Sequence, residues 1–340
     1  MKKNYIHFVF LFLLCSTFLQ AQKLTGYVYD KNLKEPIWDA TIYVDGTSYN
    51  TITDVNGRFE LSVSRQINAP LVVRHIGYDE VVLGFRSELP DTIYLQEKTT
   101  QLEEIVVLTG GKERFSRERK LSAFRNQFLG LTDGGKSSRI LNEDDIRLIY
   151  DSRNRLLTAT ADVPILIEND YLGYRVQFNL KEFRVTYRNN SLRNSGVIQA
   201  YYLGTSFFDE HKVNPNISEN RAKTYENSIN NFIKNLYLGT LDESMFIVEK
   251  EENIISANDC FSIEHTPSGA IVGVKHIDLS QGVTRLDVFN GRNHSQIRFL
   301  TDTFSINHFH ITSPTDKVVF SGHMGEMRVG DSLPSDLYLE

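Results

Sequence analysis

From Leu24 to Leu95 the chain breaks into seven short runs of period-two alternation, with turn residues every 8 to 12 positions. Alternate side chains of a strand point to opposite faces, so short alternating runs between turns specify a small antiparallel β-sandwich. Ala40, Ile42 and Val44 would share one inward face, and Phe59, Leu61 and Val63 another. Asp45-Gly46 and Asn56-Gly57 place residues that tolerate positive φ where the tight turns need them. Thr53-Asp54-Val55-Asn56-Gly57 has the opening of a calcium loop, but Arg58-Phe59-Glu60-Leu61 follows at once and no later acidic ligand arrives in register. It reads as a turn.

The chain has 340 residues, more than one domain of ~150 residues holds. Its 41% hydrophobic and 24% charged residues describe an ordinary globular protein. Lysine and arginine number 37 against 43 acidic residues, a net charge of -6, so nucleic acid is not an expected partner. Lys2 and Lys3 precede an apolar run over residues 6–14, and Ser16, Thr17 and Ala21 follow, the layout of a secretory signal over residues 1–21. The run falls short of the ~20 residues that cross a bilayer, and no later stretch reaches that length. Cys15 is not expected to carry lipid, because Phe12, Leu13 and Leu14 stand where small residues are needed. Intact mass should show a mature chain beginning at Gln22; a retained Met1 or a lipid mass on Cys15 would overturn that reading. Cys260 is then the single thiol, no intramolecular disulfide can form, and the residue reads as a small buried apolar group.

Gly26-x-Val28-x-Asp30, Pro36, Ala40-x-Ile42-x-Val44, Gly46-Thr47, Thr53-Asp54-x-x-Gly57-x-Phe59 and Gly77-Tyr78 resemble the carboxypeptidase regulatory-like domain in order and spacing. The resemblance covers residues 22–97 and implies a transthyretin-like sandwich, an accessory module without catalytic residues, and a bacterial cell-envelope setting. Leu102-Glu103-Glu104-Ile105-Val106-Val107, followed by Thr109-Gly110, resembles the stretch that joins this module to the plug of TonB-dependent receptors. A receptor barrel of about 22 strands of about 10 residues would use nearly all of the chain beyond Gly110 before any plug is counted, so no receptor is expected. Residues 98–112 read as a linker strand. Glu104, Ile105, Val106 and Val107 are candidates for a strand offered to a partner's sheet edge, with docking on one of the chain's own domains as the alternative.

Residues 113–340 read as a larger α+β domain of mostly antiparallel strands with two amphipathic helices. Leu121, Phe124, Phe128 and Leu129 have helical spacing up to Gly130. Ala222, Tyr225, Ile229, Phe232, Ile233 and Leu236 recur at 3 and 4, with Ser218 expected to cap and Gly239 to stop one helix. Strands are expected at Ile146-x-Leu148-x-Tyr150, at Tyr174-x-Val176-x-Phe178-x-Leu180, at Phe183-x-Val185-x-Tyr187, and again beyond Phe261. Phe124-Arg125-Asn126-Gln127-Phe128-Leu129-Gly130, the stretch from Ile167 through Glu168-Asn169-Asp170 to Tyr174, and Leu333-Pro334 resemble the extension behind the regulatory-like domain in a group of bacterial envelope proteins. That resemblance implies a two-part layout and no activity.

Three spellings in the sequence suggest chemistry that their context opposes. Gly130-Leu131-Thr132-Asp133-Gly134-Gly135-Lys136-Ser137 satisfies G-x-x-x-x-G-K-S, yet it leaves a helix, whereas a phosphate loop leaves a strand and opens a helix. His323-Met324-Gly325-Glu326 has the H-x-x-E spacing of zinc carboxypeptidases but no histidine follows it. His308 and His310 would share a strand face and, with His323, form the one metal set the sequence offers. No G-x-S-x-G occurs, and Glu103-Glu104, Asp144-Asp145, Asp209-Glu210 and Glu251-Glu252 read as solvated faces. The expectation is an exported, non-catalytic cell-envelope protein of the periplasm or the periplasmic face of the outer membrane. It would bind or assemble with an envelope partner, be accessory to outer-membrane transport, and use no cofactor. The alternative is a metal-dependent hydrolase or peptidase using His308, His310 and His323.

Overall fold

The computed structural model describes residues 22–63, 69–84, 90–98, 114–275, 284–307, 310–314 and 317–337. The expected signal segment, the candidate strand Glu104, Ile105, Val106 and Val107, and His308 lie outside the described residues. The chain divides into two compact units, one ending at Thr100 and the other beginning at Gln101, with Asp45–Ser48 counted in the second.

The first unit holds β1 (Gln22–Asp30), β2 (Thr41–Val44), β3 (Asn50–Ile52), β4 (Arg58–Val63), β5 (Leu71–Arg74), β6 (Val81–Leu83) and β7 (Thr92–Leu95). They form two sheets, ordered β4-β1-β7 and β3-β2-β5-β6. Period two determines which residues go inward: Ala40, Ile42, Val44, Phe59, Leu61 and Val63 are all buried, as are Val28, Leu71, Val73, Ile93 and Leu95 of the two sheets. Gly46 and Gly57 have φ of 70° and 72°, as the turns require. One pair departs from the antiparallel expectation. Tyr27 to Asp30 of β1 lie parallel to Thr92 to Leu95 of β7. β6 and β7 belong to different sheets, so the chain crosses the sandwich between them instead of reversing through a hairpin, and β7 enters its sheet parallel to β1.

The second unit is mostly strands in antiparallel sheets, with six α-helices among the described residues of the whole chain. Helix α1 (Arg117–Phe128) starts at Ser116, whose hydroxyl accepts from the Arg119 amide. Its apolar face, Leu121, Phe124 and Phe128, is buried as its spacing predicts. Phe124 and Phe128 stack at 4.9 Å, and Phe128 meets the Phe178 ring at 5.1 Å. After the four-residue α2 (Asp133–Lys136) come β8 (Ser138–Ile140), β9 (Ile146–Asp151), β10 (Leu156–Ala161), β11 (Ile165–Asn169), β12 (Tyr174–Tyr187) and β13 (Val197–Glu210). They make a six-stranded sheet in the order β8-β11-β12-β10-β9, with β13 along the other edge of β12. The two strands expected on either side of Lys181 are one: β12 runs through, and a register shift between Leu180 and Glu182 absorbs the break in alternation.

The helix expected behind Ser218 is two helices. α3 (Pro215–Glu226) is capped by Asn214, whose side chain accepts from the Ile217 amide. α4 (Ile229–Leu238) is capped separately by Ser228 and closes on Gly239 at φ 71°. Local capping explains the correction. The Ser228 hydroxyl accepts from the Asn231 amide, so the chain restarts a helix two residues after α3 ends although the apolar spacing reads through the break.

Two further sheets share the second apolar core of this unit. One contains β14 (Phe246–Lys250), β15 (Asn253–Ile254), β18 (Thr284–Asn290), β19 (Asn293–Phe299) and β22 (Val318–Gly322). The other contains β16 (Phe261–Thr266), β17 (Gly269–Val274), β20 (Thr303–Asn307) and β21 (Thr312–Ser313). Phe299 packs on Phe261 at 5.7 Å and on Phe304 at 5.9 Å, and α4 adds Phe232, Ile233 and Leu236. The helices α5 (Ala257–Cys260) and α6 (His323–Glu326) are single turns. Cys260 is buried, and that burial pushes its thiol up to about 11. Iodoacetamide at neutral pH should therefore leave the folded protein unmodified and label it only in denaturant; rapid labelling of the folded chain would reveal a reactive thiol.

Candidate functional site

The glycine-rich segment that spells a phosphate loop serves chain packing. Gly134 and Gly135 are buried in α2, and the C-terminal turn Val329–Asp331 lies directly against them. A Cβ on Gly134 would stand 2.6 Å from Asp331 Oδ1 and closer still to the Gly330 carbonyl oxygen. The Gly330 amide donates to the Leu129 carbonyl at 3.0 Å, and the Thr132 hydroxyl donates to Asp331 Oδ2 at 2.7 Å. Burial pushes the Asp331 carboxyl up, and the Thr132 hydroxyl and the Arg328 amide partly oppose that shift.

The stretch from Ile167 to Tyr174 is a structural hub. Glu168 is buried between guanidiniums: Arg175 donates to Oε2 at 3.1 Å, and Arg139 bonds Oε1. These partners, Arg175 foremost, hold its carboxyl below the usual range. Asn169 Nδ2 donates to the Gly330 carbonyl at 2.7 Å, while Oδ1 accepts from the Tyr171 and Leu172 amides. Arg221 donates to the Leu172 carbonyl at 2.8 Å and to Glu210 at 2.6 Å, and its guanidinium lies 4.0 Å from the Tyr174 ring centre. These polar residues tie strand ends, α3 and the C-terminal turn together, which accounts for them without a reaction.

The two described histidines of the metal alternative, His310 and His323, have separate surroundings. His310, at φ 60°, sits edge-on to Tyr237 at 5.5 Å, and His265 meets the same ring at 5.1 Å. His323 opens α6, within electrostatic range of Asp331. His308 is outside the described residues, so the three-histidine set cannot be assembled from them. Among the described residues no group of three His, Cys, Asp or Glu side chains is placed to hold a metal ion.

One strand of this unit that the sequence reading missed is β13. β12 bonds β11 and β10 in succession along one edge and β13 along the other. Toward its end β13 is bridged through Phe207 to Thr47, in the tetrapeptide counted with this unit. Over residues 197–203, no other strand of the described residues pairs with its outer edge. Val197-Ile198-Gln199-Ala200-Tyr201-Tyr202-Leu203 contains no charge and no proline, two of the devices that ordinarily block an edge. Tyr202 turns inward to Phe128 at 5.7 Å, whereas Ile198 and Leu203 are 58% and 50% exposed. The strand could have been found from its β-branched and aromatic composition, but it lacks clean alternation. A register shift between Thr186 and Tyr187 displaces Ile198 from its pairing, and both faces of the strand are only partly covered. Near the connection from β12 to β13, Phe115, Arg119, Ala123, Asn190, Leu192 and Arg193 help line an open cavity of about 350 Å³ with no acidic residue in its wall.

Two comparisons bear on this geometry. Residues 24–107 match the model of the CarboxypepD_reg-like domain, ten residues past the end of the resemblance read from the sequence and inclusive of Glu104, Ile105, Val106 and Val107. The chain is also similar to the TonB-dependent receptor SusC of Bacteroides thetaiotaomicron, 35% identical over 117 residues. That likeness covers 33% of this chain, in its N-terminal region, and 11% of the receptor, so the chain spans about a tenth of that relative's length.

Proposed function

We propose that this chain is an exported, non-catalytic protein of the bacterial cell envelope that binds a partner by strand addition and supports outer-membrane transport. The observation that carries the binding role is the uncharged outer edge of β13 over residues 197–203, with which no other strand among the described residues pairs. The regulatory-like module and the likeness to a TonB-dependent receptor support the setting. An extended segment added to such an edge gains main-chain hydrogen bonds, and alternate side chains on the host select the sequence. The occupant in this reading is an extended segment of an outer-membrane receptor. Glu104, Ile105, Val106 and Val107 remain in the proposal as the strand this chain offers in return, and no metal or cofactor is required.

A photo-crosslinking residue at Gln199, used in intact cells, should yield an adduct with an outer-membrane receptor identified by mass spectrometry. Ile198→Lys combined with Leu203→Lys places charge on the edge and should abolish that adduct while thermal unfolding is unchanged. An adduct formed only with a second copy of the chain, or one indifferent to the added lysines, would defeat the proposal.

A further inference from the structure

The connections at one end of the sandwich each carry a large apolar side chain into solvent. β1 and β7 end there, β4 begins there, and β2, β3 and β5 meet there through Thr41, Ile52 and Arg74. The turns at this end present Leu33 at 65%, Trp38 at 64%, Val55 at 76% and Ile76 at 74% exposure. Exposed apolar residues scattered singly over a surface need no explanation, but four at the tips of neighbouring turns form one feature.

The turns are built to hold these tips still. The Asp30 carboxylate accepts from the Asn32 and Leu33 amides at 2.6 and 2.7 Å and from the Tyr78 hydroxyl at 3.0 Å, which links the turn of Leu33 to that of Ile76. The buried Thr53 hydroxyl donates to the Ile37 carbonyl and accepts from the Ala40 amide, bracketing Trp38. Asp54 Oδ1 accepts from the Asn56 and Arg58 amides, which shapes the turn bearing Val55. Polar residues adjoin each of the tips in sequence. Nearby charges are mixed, with Lys31, Lys34, Arg58, Arg74 and Lys98 against Asp30, Glu35, Asp39, Asp54, Asp79, Glu80 and Glu97.

We propose that this end of the sandwich seats in the interface of a lipid bilayer with electrically neutral headgroups. Leu33, Val55 and Ile76 enter the acyl boundary, and the Trp38 indole lies at headgroup level, where an amphipathic ring is favoured. Rigid turns lose little conformational freedom on insertion, and the slight excess of acid rules out attraction to anionic lipid as the driving force. The inference does not rest on the β13 edge, and either can fail without the other.

Trp38 is the single tryptophan of the chain, so its emission reports on this end alone. Mature full-length protein should show a blue shift and co-sedimentation with vesicles of phosphatidylcholine and phosphatidylethanolamine, unchanged in extent when one third of the lipid is phosphatidylglycerol. Leu33→Asp with Ile76→Asp should lower vesicle partitioning by roughly tenfold or more with melting unaltered. If that pair disturbs folding, Val55→Asp serves in its place. No shift with any vesicle, binding confined to anionic vesicles, partitioning that survives the aspartates, or a shift produced only by an envelope protein fraction would each overturn the proposal.

Discussion

Phe128→Ala should lower the unfolding free energy of the second unit by about 4 kcal/mol, the range expected when a fully buried aromatic ring is deleted. Phe128 is wholly buried and sits among Phe124, Phe178, Phe183 and Tyr202 at 4.9, 5.1, 6.4 and 5.7 Å. The substitution therefore removes apolar area and four ring contacts at once, and the cavity has rigid walls on both the helix and the sheet side. Urea unfolding followed by far-UV circular dichroism would measure the loss. Trp38 fluorescence, which reports on the sandwich, should keep its midpoint. A loss under about 1 kcal/mol would mean that α1 is not packed on the six-stranded sheet as described.

Gly134→Val should cost about 3 kcal/mol for a different reason, overpacking against backbone. The added Cβ would collide with the Gly330 carbonyl oxygen and with Asp331 Oδ1, and neither belongs to a flexible side chain tip in open solvent. The C-terminal turn would have to lift, breaking the Gly330 bond to Leu129 and the Asn169 bond to Gly330. Hydrogen exchange at the Gly330 and Asp331 amides should accelerate in this variant, and its melting temperature should fall. Unaltered exchange there would show that the turn does not depend on a bare backbone at Gly134. A nucleotide-binding role for the same glycines makes no such prediction about stability.

Much of the architecture was legible in the residues. Ala40, Ile42 and Val44, with Phe59, Leu61 and Val63, declare an inward face because a strand repeats every two residues, and all six are buried. Leu121, Phe124 and Phe128 declare α1 in the same way through the helical repeat, and Gly239 closes α4 because its left-handed φ of 71° favours glycine. Signals of this kind are local. They depend on periodicity and on single-residue backbone preference, which a chain carries wherever it folds. The break between α3 and α4 was also local, but a serine cap competes with an apolar repeat that continues through it, and spacing alone favours the wrong outcome.

Only the tertiary structure decided what the remaining motifs are for. Gly134 belongs to a spelling that invites chemistry, and Glu168 and Asn169 to a stretch that implied none; the folded chain places Glu168 on Arg139 and on its cross-strand neighbour Arg175, Asn169 on Gly330, and Gly134 on the turn of Gly330 and Asp331. The partners of Asn169 and Gly134 lie more than 150 positions away in sequence, so no local pattern names them. The edge of β13 was likewise invisible, because whether a strand lies inside a sheet or at its border depends on which other strands arrive beside it. From its residues alone, residues 197–203 are an uncharged β-forming run. That its outer hydrogen-bonding groups face no strand of the described chain is a property of sheet order, and sheet order is established by long-range pairing.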